Sequence, residues 1–151
     1  MIIGIDEVGR GPLAGPVTVG LFMARENVGK KILKDIFNNK LRDSKKLSST
    51  QRNKINLALT KLKKKGEVFF CVAHVSNKVI DKKGIVFAIN SAIEKLTNTK
   101  GHPQYTEGDP WLRLDGGLKA PERFKSNSSQ SKTIIKGDEK DVFIACASIM
   151  A

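Results

Sequence analysis

Apolar residues open the chain. Met1-Ile2-Ile3-Gly4-Ile5 runs straight into Asp6 and Glu7, and residues 1–8 read as a strand. Pro16 to Met23 is a second apolar run, and the Gly- and Pro-rich turn between the two predicts an antiparallel pair. A basic stretch that reads as irregular follows to about Leu47. Ser48 or Ser49 then suits a helix N-cap. Ile55, Leu57, Leu59 and Leu62 predict a helix that Gly66 ends, and Lys61, Lys63, Lys64 and Lys65 form its solvated, dipole-favoured end. Glu67 to Val75 is almost continuously apolar and predicts a buried strand, with Phe69, Phe70 and His74 assigned to the core. Over residues 81–98, Ile85, Ala88, Ile89, Ala92, Ile93 and Leu96 fall at helical spacing. Residues 99–110 and 116–130 read as polar loops around a short strand from Trp111 to Asp115, with Trp111 in the core. Thr133 to Lys136 predicts a further short strand, and Asp138 to Ala151 a strongly apolar final helix. Strand, strand, helix, strand, helix, strand, strand, helix is the order of an α/β domain with a mixed sheet, taken as one domain over residues 1–151.

Composition narrows this picture. The 151 residues are 40% hydrophobic, enough for a globular core, and no apolar run reaches membrane-span length. The start lacks a basic n-region, so no signal peptide is expected. Cys71 and Cys146 both lie in apolar runs and read as buried reduced thiols of a cytoplasmic protein. Lys and Arg number 27 against 15 Asp and Glu, a net charge of +12. A polyanionic partner is implied, and nucleic acid is the commonest one, although solubility alone also explains a basic surface. No phosphate-binding P-loop is present: Val28-Gly29-Lys30-Lys31 lacks both the upstream glycine and the hydroxyl. His74 and His102 have no metal-ligand pattern around them.

Candidate chemistry centres on Asp6, Glu7, Asp115 and Asp138, which stand where strands stop or helices begin. Converging carboxylates hold hard divalent cations, and without cations such clustering is costly. Asp115-Gly116-Gly117 is equally a turn sequence, and Asp138, with Asp141 three residues on, equally a helix N-cap. Asp6-Glu7 at the end of an apolar strand is poorly explained by a turn. Neighbouring residues on a regular strand face opposite sides, so an irregular backbone is predicted at residues 6–11, with Gly9 and Gly11 supplying the freedom.

These segments carry a resemblance. Asp6-Glu7-Val8-Gly9-Arg10-Gly11-Pro12-Leu13-Ala14-Gly15-Pro16-Val17 resembles the opening motif of ribonuclease HII, the type 2 ribonuclease H. Asp43-Ser44-Lys45-Lys46-Leu47-Ser48, Asp115-Gly116 and Lys136-Gly137-Asp138 with Ile144-Ala145-Cys146-Ala147-Ser148-Ile149-Met150-Ala151 match its later motifs, in family order. The resemblance implies a ribonuclease H-like fold, a mixed five-stranded sheet flanked by helices. It implies endonucleolytic cleavage of RNA in RNA–DNA hybrids and at ribonucleotides embedded in duplex DNA, with 5′-phosphate and 3′-hydroxyl products, and hence a place in ribonucleotide excision repair. Asp6, Glu7, Asp115 and Asp138 carry over as catalytic ligands of two Mg²⁺ or Mn²⁺ ions. Gly9, Arg10 and Gly11 carry over as the segment reading the ribose 2′-hydroxyl, which fits the backbone exposure that glycine allows. Lys45 and Lys46 are assigned to the nucleic-acid backbone, with Ser44 as a hydrogen-bond donor. No membrane partner is expected, and a monomer is.

The family pattern runs on after the Ala-Ser-Ile-x-Ala segment, through Lys-Val-x-Arg-Asp to a tyrosine that stacks at the RNA–DNA junction. The sequence ends at Ala151, and Tyr105, its only tyrosine, stands in another context. Weaker junction specificity is therefore expected, and so are apolar faces at Ile144, Ala145, Ile149 and Met150 in need of cover. Two other classes fit parts of the sequence: a catalytically impaired nucleic-acid-binding module, and another nuclease of the same fold, such as a resolvase or integrase relative.

Overall fold

A computed structural model of the chain describes residues 1–11, 15–98, 110–124 and 131–151. Pro12 to Ala14, His102, Tyr105 and the serine-rich stretch from Ser126 lie outside those residues. Five strands form one mixed sheet: β1 (Ile2–Val8), β2 (Val17–Ala24), β3 (Val68–Val75), β4 (Trp111–Asp115) and β5 (Ser131–Ile134), side by side as β3-β2-β1-β4-β5. β2 is antiparallel to both β1 and β3, and β4 is parallel to β1 and β5. The helices are α1 (Glu26–Asp35), α2 (Ser49–Lys64), α3 (Asn77–Lys83), α4 (Ile85–Thr97), α5 (Gly137–Lys140) and α6 (Val142–Met150).

Alternation along the strands builds two cores. Ile3, Ile5, Val19 and Leu21 face α4, packing on Ala88, Ile89, Ala92 and Ile93. Ile2, Phe22 and Ala24 face the other way, onto Ile32 of α1, Leu59 of α2 and Phe143 and Cys146 of α6. α6 lies so close to the sheet that side chains beneath it have no room. A Cβ on Gly4 would come 2.2 Å from the Phe143 carbonyl carbon, and one on Gly20 2.4 Å from the Ala147 carbonyl oxygen. This close seat fixes α6 beside the end of β1 where Asp6 stands. It also buries Ile144 and Ala145, while Ile149 and Met150 pack partly buried against the same core, so the apolar faces expected to need cover are largely covered by the sheet.

Other departures have local causes. The basic stretch read as irregular contains α1, ended by Asn38 and Asn39 at positive φ. The helix expected over 81–98 is two helices broken at Gly84, whose φ is +82°. The last helix divides at Asp141, and β5 begins two residues earlier than expected. β3 is an edge strand and only half-buried. Because Ala73 faces the core, His74 faces outward, where Nδ1 lies 2.7 Å from the Thr18 hydroxyl. Trp111, assigned to the core, is 52% exposed. Lys63, assigned to a solvated helix end, donates to the Phe70 carbonyl and lies over the Phe69 and Phe70 rings. Cys146 is buried and Cys71 half-buried, both as free thiols. Among the described residues no helix is long and apolar enough to cross a membrane.

Candidate active site

Strand register delivers the carboxylates. Parallel pairing of β1 with β4 runs from Ile2↔Trp111 to Ile5↔Leu114, so Asp6 and Asp115 come next on adjacent strands. β4 ends there, but β1 continues against β2 through Asp6↔Gly20, Glu7↔Val19 and Val8↔Thr18. One oxygen from each of Asp6, Glu7 and Asp115 can be chosen so that all three lie within 4.8 Å of one another. The irregular backbone predicted at residues 6–11 begins only at Gly9, so it is not what unites them. β1 is regular to Val8, and the backbone leaves the strand at Gly9, whose φ is +99° and where a Cβ would meet the Pro16 carbonyl oxygen at 2.6 Å. Among the described residues no strand pairs with β1 beyond Ile5↔Leu114 on the β4 side, and the longer Glu7 side chain brings its carboxyl to the other two. Gly11 has open space where a Cβ would be, and no positive φ.

Asp138 stands beside this group, not within it. It lies in the first turn of α5, not at its N-cap; Asp141 is the capping residue, accepting from the backbone N–H groups of Phe143 and Ile144 at the start of α6. The Asp138 carboxyl senses Asp115 and Asp43 and accepts the backbone N–H of Ser44. Asp115 is itself fixed from β5's side: Gly137 N–H donates to its Oδ1 at 2.6 Å. A Cβ on Gly137 would lie 3.1 Å from that oxygen and 2.5 Å from Ile144 Cδ1.

Burial makes this an electrostatically expensive place. It pushes the Asp6 carboxyl up to about 7, aided by Asp115 and Glu7 and opposed by hydrogen bonds from Ser148 and the Glu7 N–H. Burial also raises Glu7, with Asp115 adding to the effect and Arg10 and Lys45 opposing it. Asp138 is raised by burial and then by Asp43 and Asp115. Glu7 Oε1 pairs with Arg10 Nε at 3.0 Å, but its Oε2 is buried with no hydrogen-bond partner. Hard oxygens, one of them orphaned, in a poorly hydrated acidic cluster are a donor set that fits a divalent cation.

The family model for ribonuclease HII matches residues 3–151. The chain belongs to the ribonuclease HII family. The ribonuclease HII of Clostridium botulinum is 33% identical over the whole chain, and the chain spans about half that relative's length, 49%. Ribonuclease H2 from Pyrococcus horikoshii matches with a TM-score of 0.68 at 25% identity, covering 99% of this chain and 69% of that one. A ribonuclease HIII, Bst-RNase HIII, solved in complex with Mn²⁺, shares the fold with a TM-score of 0.66 at 23% identity, covering 99% of this chain and 50% of that one.

The ribonuclease HII motifs thus converge in space. Gly9, Arg10 and Gly11 leave the end of β1 next to Glu7, and Arg10 is held by that glutamate. Ser44, Lys45 and Lys46 form a 3-10 turn, started by Asp43 accepting the Lys45 N–H at 2.9 Å. Lys46 Nζ pairs with Glu139 at 2.9 Å, which fastens the turn to α5. Sequence reasoning missed four supporting groups. Asp43 and Glu139 flank assigned motif residues and were not assigned. Asp141 pairs with Arg113 of β4, and its signal was its place at a helix start. Ser148, which hydrogen-bonds Asp6, lies within the last motif, but nothing in the sequence points to that contact.

Proposed function

We propose that this chain is the catalytic part of an endoribonuclease that cuts RNA within RNA–DNA hybrids and at single ribonucleotides embedded in duplex DNA, leaving 5′-phosphate and 3′-hydroxyl ends. The observation that carries the proposal is the meeting of Asp6, Glu7 and Asp115 within 4.8 Å in a ribonuclease HII chain. Asp6, Glu7, Asp115 and Asp138 would hold Mg²⁺ or Mn²⁺, the latter being the ion of the structurally similar ribonuclease HIII. Two such ions, when bound, supply an activated water for in-line attack on the phosphodiester and stabilisation of the leaving 3′ oxygen.

The chain's own groups do the rest. Asp6 and Glu7 would serve as ligands in their ionised forms, because a carboxylate ligates only when deprotonated. Gly9 and Gly11, free of Cβ, let the backbone approach a ribose closely enough to meet its 2′-hydroxyl. Arg10, oriented by Glu7, offers its remaining N–H groups to a phosphate. Lys45 and Lys46 are exposed at the tip of their turn and track the backbone, and the net charge of +12 draws the polyanion in. We read residues 1–151 as one catalytic domain, cytoplasmic and monomeric.

A duplex carrying one ribonucleotide tests this. The expected result is a cut at the ribonucleotide with Mg²⁺ or Mn²⁺ and none in chelator. Binding without any cut under any metal would make the chain a binding module. Equal cutting of an all-DNA duplex would make it a nuclease blind to the 2′-hydroxyl.

A further inference from the structure

Behind the carboxylates, α6 meets the 3-10 turn at Ser44–Lys46. The hydroxyl oxygens of Ser148 and Ser44 lie 2.8 Å apart, although 104 positions separate the two residues. Ser148 also hydrogen-bonds the Asp6 carboxyl, and the backbone N–H of Ser44 donates to the Asp138 carboxyl. One chain of bonds therefore runs Asp6–Ser148–Ser44–Asp138 and joins carboxylates from opposite ends of the sequence. Each hydroxyl carries one proton and rotates to suit its partners. As placed, Ser148 donates to Ser44; rotation of both hydroxyls lets Ser148 donate to an ionised Asp6 while Ser44 donates to Ser148. Both donors of Ser44 are then used, its hydroxyl toward Ser148 and its N–H toward Asp138, while its carbonyl accepts from Arg52 Nη1 at 3.2 Å.

We propose that Ser148 and Ser44 form a positioning pair that sets the spacing of Asp6 and Asp138 and ties it to the segment bearing Lys45 and Lys46. This rests on the metal-site reading above. It deepens that reading by giving Ser44 a tie between cation ligands in place of the nucleic-acid contact assigned from the resemblance. Groups that orient ligands from behind typically change metal affinity by about 10- to 100-fold when removed. Members of one bonded chain do not act additively.

The experiment is Mn²⁺ titration by calorimetry of the 151-residue chain and its Ser148→Ala, Ser44→Ala, double-alanine and Ser148→Thr variants, with unfolding midpoints in chelator as the folding control. Each alanine variant is expected to bind Mn²⁺ about tenfold more weakly. The double variant should be no weaker than Ser148→Ala alone, and Ser148→Thr should recover most of the affinity. Ser44→Ala, which removes no charge, should leave the salt dependence of hybrid binding as it was. Wild-type Mn²⁺ affinity in both alanine variants, or additive losses, would overturn the pair. So would Ser44→Ala weakening hybrid binding with Mn²⁺ affinity intact. A wild-type chain that binds no Mn²⁺ would overturn the metal-site reading as well, a result distinct from variants that match a wild type that binds.

Discussion

Asp6→Asn should make the metal-free protein more stable. Asp6 is 6% exposed, and burial lifts its carboxyl from 3.8 to about 7. The folded state therefore holds a proton that the unfolded state has released across the window between those values. Stability falls as pH rises through that window and levels off above about 7. At roughly 1.4 kcal/mol per unit, the charged Asp6 costs the folded state up to about 4 kcal/mol at pH 8. Asparagine keeps the shape, and its carbonyl oxygen can still accept the Glu7 N–H, which now reaches Asp6 Oδ1 at 2.7 Å. It removes the buried charge and its repulsion with Asp115 and Glu7. Urea unfolding in chelator, followed by circular dichroism from pH 4 to 8, should show the two proteins alike near pH 4 and the variant ahead by about 2–4 kcal/mol at pH 8. Mn²⁺ at a hundred times its dissociation constant should restore about 2.7 kcal/mol to the wild type and little to the variant. A wild type no less stable than Asp6→Asn at pH 8, or a difference between them that does not grow with pH, would refute the reasoning.

Gly4→Ala should cost about 3 kcal/mol or more in urea unfolding, because its Cβ would meet backbone, the Phe143 carbonyl carbon at 2.2 Å, and α6 must lift off the sheet. Gly137→Ala should cost only about 1–2 kcal/mol, since the flexible end of Ile144 can yield, yet it should weaken Mn²⁺ binding by displacing Asp115 Oδ1; calorimetry and urea unfolding together separate the two effects. Lys45→Ala should weaken hybrid binding across all sequences and lower the slope of log affinity against log salt by about 1, which filter binding at several salt concentrations measures.

Much of the fold was legible because its signals are local. The apolar opening ending in Asp6-Glu7, the Ser48 cap and the helical spacing of Ile85 to Leu96 each predict their element from a few neighbours. α1 escaped notice because only Gly29 and Ile32 are buried among its charged residues, and Gly29 is there to seat the Phe143 ring, 2.4 Å from where its Cβ would stand. Asn38-Asn39 was its one readable stop. The N-cap signal near the last helix was real but assigned to Asp138, three residues before the capping Asp141. At the site, the motifs named the carboxylates. The irregular backbone expected over residues 6–11 starts only at Gly9, and Glu7 still joins Asp6 because alternation constrains Cα–Cβ directions, whereas a glutamate carboxyl has three further bonds of reach. The contacts of Ser148, a residue of the last motif, could not be read: its partners Asp6 and Ser44 are neighbours only after α6 docks on Gly4 and Gly20.

Crystals of the chain soaked in Mn²⁺ and measured at the manganese absorption edge test the central claim most directly. The account predicts anomalous density about 2.1 Å from carboxylate oxygens of Asp6, Glu7 and Asp115, with a second ion shared toward Asp138. Manganese bound elsewhere, with those carboxylates left unligated at saturating concentration, would contradict it.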